Sequence, residues 1–177
     1  CIPCGIPYML ASLKNPNENK MSNVPLEKNN IEVIVEEAIK INREEKEVLT
    51  KSSNVYCYEK LILATGSLPI IPSVPGIDKK GVYPIYKDMN YLKDFVARIK
   101  GSKSVLIVGG GFIGVEFADE ISKVEGIKVY LIELFPQILI NSFDLEFSKL
   151  ATERLKLKEG ELITGTKIEE IWGNKTL

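Results

Sequence analysis

Apolar side chains run almost unbroken through SVLIV, residues 104–108, and the glycine cluster GGGFIG follows at once. A short apolar run closed by glycine is the pattern of a buried strand. Residues 112–123 then place apolar side chains at helical spacing, 128–133 (KVYLIE) form a second strand, and 144–157 predict another helix. Upstream, 88–99 also have a helical rhythm. Two short strands, ELIT and KIEEIW, close the region before GNKTL, where a hairpin turn begins. Strands alternating with helices across short connections predict an α/β fold: a parallel sheet covered by helices.

The earlier part of the chain has a different pattern. Residues 1–13 predict a mostly apolar helix with Pro7 tolerated in its first turn, and the polar stretch 15–23 a loop. IEVIV, 31–35, reads as a strand. Residues 38–41 and 47–50 alternate apolar and polar around NREEKE, a hairpin pattern. VYCYEKLILATG, 55–66, predicts one more strand ending at a glycine. LPIIPSVPGID, 68–78, carries three prolines and a glycine, which suits an extended linker and neither a helix nor a central strand. A domain boundary is therefore expected near residue 80, separating 1–80 from 81–177.

Composition narrows the chemistry. The 177 residues are 45% hydrophobic and 27% charged with a net charge of −1, as in ordinary globular proteins. That balance gives no electrostatic case for nucleic acid or an anionic membrane as partner. No apolar run approaches the roughly 20 residues of a spanning helix, and no signal peptide is recognisable, so a cytoplasmic setting is expected. The chain opens on Cys1 and stops within a predicted hairpin, so it is expected to be an internal piece of a longer protein. There is no histidine, which removes His-based triads and His metal ligands. Chemistry must rest on thiols, carboxylates or a bound cofactor.

The glycine cluster carries the strongest chemical signal. Gly109 allows the tight turn out of the strand, Gly111 lets a pyrophosphate approach the backbone, and Gly114 lets the helix pack close to the sheet. The phosphates of a dinucleotide then lie at a helix N-terminus, where free N–H groups and the dipole favour anions. Glu133 ends the next strand, 19 residues past Gly114, near the expected spacing of about 20. An acid there accepts hydrogen bonds from ribose hydroxyls and repels a 2′-phosphate, which favours NAD(H) over NADP(H). The competing reading is a glycine turn in an unrelated α/β protein.

CIPC at the start admits several readings: half of a metal site, a thioredoxin-like dithiol, or one reactive cysteine. A structural zinc site needs four ligands, usually Cys or His. Three cysteines (Cys1, Cys4, Cys57) and no histidine do not supply them, so no metal site is expected.

With CxxPY near a helix start, LILATGSLPIIPSVPGID, VLIVGGGFIGVEFADE and VYLIELFPQIL in this order, the whole chain resembles the pyridine nucleotide–disulfide oxidoreductases. Within that family it is most similar to the single-cysteine branch of NADH oxidases, NADH peroxidases and coenzyme A-disulfide reductases. The resemblance implies a Rossmann-like three-layer NAD-binding domain (81–177, C-terminally incomplete). It also implies a partial FAD-binding domain (1–80) that lacks its first βαβ unit. FAD and NAD(H) are the implied cofactors. A small-molecule disulfide, coenzyme A or oxygen is the implied partner, and a homodimer the implied assembly of the complete enzyme. Matching motif positions imply that Cys4 is the redox-active cysteine and that Ala64, Thr65, Gly66 and Ser67 lie against FAD. Ala38 falls at an adenine contact, Phe112 at an aromatic gate over the flavin, and Glu116 at an acid near the nicotinamide. Simpler roles stand beside these: Phe112 as helix packing, Glu116 as a solvated first-turn acid, Thr65 and Gly66 as a strand end.

In the two-cysteine branch the pair is spaced CxxxxC, and Met9 stands where the partner of Cys4 would be. Low-molecular-weight thioredoxin reductases carry CxxC after the NAD(P) glycine loop, whereas here it precedes it. Cys4 at a helix start would have a lowered thiol pKa, and would cycle through a mixed disulfide or a sulfenic acid. A disulfide with Cys1 remains open, and Cys57 reads as a strand packing residue. The implied activity is an FAD-dependent NADH oxidoreductase that passes hydride through flavin to Cys4 and on to a disulfide, oxygen or peroxide. The alternatives are a flavin-only NADH:acceptor reductase or, for the isolated chain, a non-catalytic NAD-binding module.

Overall fold

The computed structural model describes residues 1–155, 157 and 159–173. They form two compact units, one built from 1–21 and 68–177, the other from 22–67. The opening segment thus packs with the glycine-loop region, a grouping that a single cut near residue 80 does not give.

In the larger unit three parallel strands, β4 (Ser104–Val108), β5 (Lys128–Ile132) and β6 (Gly160–Ile163), lie in that spatial order. Register runs Ser104 to Lys128 through Val108 to Ile132, and Val129 to Gly160 onward. Helix α3 (Phe112–Ser122) makes the crossover between β4 and β5, so the sheet, its parallel pairing and the helices form a Rossmann-type fold. Helix α2 (Met89–Lys100) buries Leu92, Phe95, Val96 and Ile99, spaced i, i+3, i+4 and i+7 on one face. Its N-terminus is capped by Asp88, whose carboxylate accepts from Tyr91 N at 2.8 Å. Asp144 caps α4 (Leu145–Arg154) in the same way through Phe147 N at 3.0 Å. The core combines the α2 face with Phe117, Ala118 and Ile121 of α3, Val129 and Leu131 of β5, Ile138, and Ile6, Met9 and Leu10 of the opening segment.

The smaller unit contains a short helix, α1 (Val24–Glu27), and an antiparallel meander of β1 (Ala38–Asn42), β2 (Glu47–Thr50) and β3 (Val55–Cys57). Positive φ at Lys46 and Ser53 closes its two turns. The expected hairpin is therefore present, with a bulge between Ala38 and Lys40.

Five expectations change. The predicted helix over 1–13 is two separate 3-10 turns, Pro3–Gly5 and Pro7–Met9. An α-helix starting there needs an N–H at position 7 to reach the Pro3 carbonyl, and proline has none, so Ile6 N bonds that carbonyl instead at 3.2 Å. Residues 31–35 form no strand, and the strand after Val55 ends at Cys57; Tyr58 N still donates to the Lys46 carbonyl at 2.9 Å, but 59–67 have no ladder neighbour. Cys57 is exposed, so its side chain does not pack the strand. KIEEIW forms no strand; Ile171 N bonds the Pro75 carbonyl at 2.9 Å in the proline-rich segment. The turn expected in GNKTL falls mostly outside the described residues. No helix among the described residues is long and apolar enough to cross a membrane.

Candidate dinucleotide-binding site

Strand β4 delivers the chain into the glycine loop, and Gly109 N continues the ladder by donating to the Ile132 carbonyl at 2.8 Å. Gly109 has φ +100°, a conformation that side chains disfavour. Gly114 sits so close to the loop that an added Cβ would collide with the Gly109 carbonyl oxygen. Around Gly111, by contrast, an added Cβ would meet nothing within 4 Å. Gly111 is the N-cap of α3 and no side chain caps that terminus. The first-turn N–H groups therefore face an open cradle, the arrangement that takes a pyrophosphate. The residues present fit a dinucleotide.

Glu133 is fixed across this loop with 9% of its surface exposed. Its Oε2 accepts from Gly110 N at 2.5 Å and its Oε1 from Phe135 N at 2.8 Å. A carboxylate oxygen offers two lone pairs, so each retains capacity for a ribose hydroxyl. The role of Gly110 was not visible in the motif. An added Cβ there would lie 2.7 Å from Ile138 Cγ2 and 3.0 Å from Glu133 Oε2, and its carbonyl accepts from Leu139 N at 2.7 Å. Gly110 lets the 133–139 loop close on the glycine turn.

Phe112, at the first position of α3, is 53% exposed and does not pack between helix and sheet. Its ring meets Phe143 edge-on, with centroids 5.5 Å apart. Glu116 is half-buried in the second turn, one turn further in than the first-turn position expected of it. Glu120, which the motif did not single out, is buried beside Phe117 and Ile121. It lies at i+3 from Phe117, and a helical projection of the apolar stripe would have exposed it as an acid on the wrong face. Lys123, flanked by Asp119 at 2.8 Å and Glu120 at 2.6 Å, has its pKa pushed up to about 12 by these hydrogen bonds.

Cys4 lies in the first 3-10 turn, exposed, in the same unit as the glycine loop. Cys1 and Cys4 are both free thiols, and Cys1 Sγ bonds the Lys87 carbonyl at 3.6 Å. The described residues contain no cluster of three or more potential metal ligands. The remaining predicted contacts belong to the smaller unit. Ala38 opens β1 and is exposed; Ala64, Thr65, Gly66 and Ser67 form exposed extended backbone, with φ +74° at Gly66.

The family model described as pyridine nucleotide-disulphide oxidoreductase matches residues 4–177. The chain belongs to this family. Its members use FAD and NAD(H). Among curated relatives, the nitrite reductase [NAD(P)H] of Bacillus subtilis is 34% identical over 84% of this chain and 18% of its own length. The CoA-dependent NAD(P)H sulfur oxidoreductase of Pyrococcus abyssi is 32% identical over 87% of this chain and 35% of its own. The crystal structure of reduced CoADR-RHD from Bacillus anthracis superposes with a TM-score of 0.78 at 27% identity, covering 96% of this chain and 32% of that one. The chain thus spans well under half the length of these relatives.

Proposed function

We propose that this family member acts, in its complete form, as an NADH-dependent flavoprotein oxidoreductase. The observation that carries the reading is the glycine cradle at the start of α3 with Glu133 held across it by Gly110 N and Phe135 N. The first-turn N–H groups hold the pyrophosphate, and Glu133 holds the adenine ribose and repels a 2′-phosphate. Phe112, exposed at the loop, covers the place the nicotinamide takes and moves aside for it, and Glu116 lines it. Residues 1–80 contribute to the FAD half, with Ala38 and Ala64 to Ser67 as the FAD contacts. Bound FAD would supply two-electron transfer from the nicotinamide to a disulfide or a sulfenic acid. Cys4 then carries the oxidising equivalent as a mixed disulfide or sulfenic acid, and returns to the thiol when reduced. The acceptor class is a small disulfide such as coenzyme A disulfide, or oxygen or peroxide, and the complete enzyme is a homodimer of the cytoplasm.

Titration of the protein with NADH and NADPH tests the nucleotide site: NADH is expected to bind at least tenfold more tightly, and tighter NADPH would remove the role given to Glu133. The likeness to nitrite reductases favours a second reading, an NADH:acceptor reductase that needs no cysteine. Cys4→Ser separates the two. Loss of disulfide and peroxide turnover supports the thiol route, and full retention supports the second reading.

A further inference from the structure

Cys4 is open to solvent, yet the backbone around it is tied down on every side. Ile6, Met9 and Leu10 are buried in the core. Asn19, buried as well, reaches back over the segment. Its Nδ2 donates to the Ile2 carbonyl at 3.1 Å, its own carbonyl accepts from Ile2 N at 3.0 Å, and its side chain packs so close to Gly5 that a Cβ there would collide with it. The last tie runs to the nucleotide helix. Glu120 of α3, 1% exposed, accepts from Ser12 N at 2.9 Å, from Ser12 Oγ at 2.8 Å and from Lys123 Nζ at 2.6 Å. An apolar side chain of similar volume would fill this place without the cost of desolvating a carboxylate. The charge is accounted for only by what it holds.

We propose that Glu120 is a positioning residue. Through Ser12 it fastens the segment that bears Cys4 to helix α3, whose first turn is the nucleotide cradle. The proposal rests on the reading of Cys4 as the redox thiol. Eight residues of one helix, about 12 Å, separate Phe112 from Glu120, so the clasp and the cradle share one rigid element. A misplacement of about 1 Å is enough to slow a positioned reaction by roughly a hundredfold. Fixing the thiol's mount to the nucleotide helix is therefore a direct way to hold the transfer distance.

The test uses Ser12→Ala, Glu120→Gln, the double variant and Ser12→Thr in the intact, FAD-loaded protein. Ser12 is exposed, so Ser12→Ala leaves folding intact. Hydrogen exchange at the amides of Ile6, Leu10 and Leu13 is expected to speed up about fivefold in each single variant, with β4 and β5 amides unchanged. Turnover of a small disulfide is expected to fall by a similar factor in kcat while the KM for NADH stays the same. The double variant should be no worse than Glu120→Gln, because both remove one interaction, and Ser12→Thr should restore both readouts. Unchanged exchange in Ser12→Ala and Glu120→Gln overturns the clasp. Faster exchange with unchanged kcat, in a protein that Cys4→Ser inactivates, overturns the positioning role. Full activity in Cys4→Ser removes the cysteine reading and the positioning role with it.

Discussion

Two stretches of this chain carry similar apolar runs and meet different fates. Val129, Leu131 and Ile138, beside the glycine loop, have no exposed surface, whereas Val35, Ile62 and Leu63 are 91%, 87% and 68% exposed. Strand β5 lies between β4 and β6, so its backbone groups are paired on both sides and α3 covers it. Residues 31–35 and 59–67 have no ladder neighbour, and no apolar side chain of 22–67 is buried. Apolar periodicity states which face a segment must hide; only a partner element hides it.

The contrast breaks most visibly under truncation. Leu131→Ala is expected to cost about 3 kcal/mol of unfolding free energy in a urea melt, by lost burial plus a cavity. Ile62→Ala should change it by no more than about 0.5 kcal/mol. Equal costs would mean that 22–67 has a core after all. The glycine loop sharpens the comparison inside the better-packed unit. Gly114→Ala should destabilise by about 1–3 kcal/mol through overpacking against the Gly109 carbonyl and abolish NADH binding. Gly111→Ala, facing open space, should leave the melt within about 0.5 kcal/mol of the parent and still weaken NADH by roughly tenfold or more. A destabilised Gly111→Ala would show that the cradle is filled by the protein itself.

The smallest effect is on acid stability. Burial alone would raise the Glu120 carboxyl, but hydrogen bonds from Lys123 and Ser12, together with the Lys123 charge, outweigh it and hold the group below its ordinary range. A carboxyl whose folded pKa is lowered stabilises the fold above its unfolded value, about 4.3 for Glu. That contribution disappears as pH falls through the lower folded value. Lys123, itself paired with Asp119, stays charged throughout. Urea midpoints from pH 7 downward should therefore drop more steeply below about pH 4 in the parent than in Glu120→Gln. Parallel curves would show that the fold does not lower the Glu120 carboxyl.

Much of the larger unit is legible in the linear chain. β4 begins and ends where SVLIV does, and α3 starts at Phe112. Asp88 and Asp144 cap the two helices whose patterns begin with them. Strong local signals, a glycine turn and a polar cap beside an apolar stripe, agree there with the packing. The readings that failed depended on partners far away in sequence or on a missing donor. The strand at 31–35 needed a neighbouring strand, and the helix at 1–13 was undone by two prolines four residues apart. Gly110, Asn19 and Glu120 escaped notice because their functions are contacts across 23, 17 and 108 residues.

By itself, the amino-acid sequence determined the α/β order of the second half, the glycine loop, the acid at its proper distance, and the family to which the chain belongs. These follow from local periodicity and from motif spacing, which a linear chain displays directly. Only the tertiary structure decided that Glu133 is locked to Gly110 N and that the segment bearing Cys4 is tied to α3 through Ser12 and Glu120. A hydrogen bond between distant residues exists only once packing has brought them within about 3 Å, and no local pattern records that.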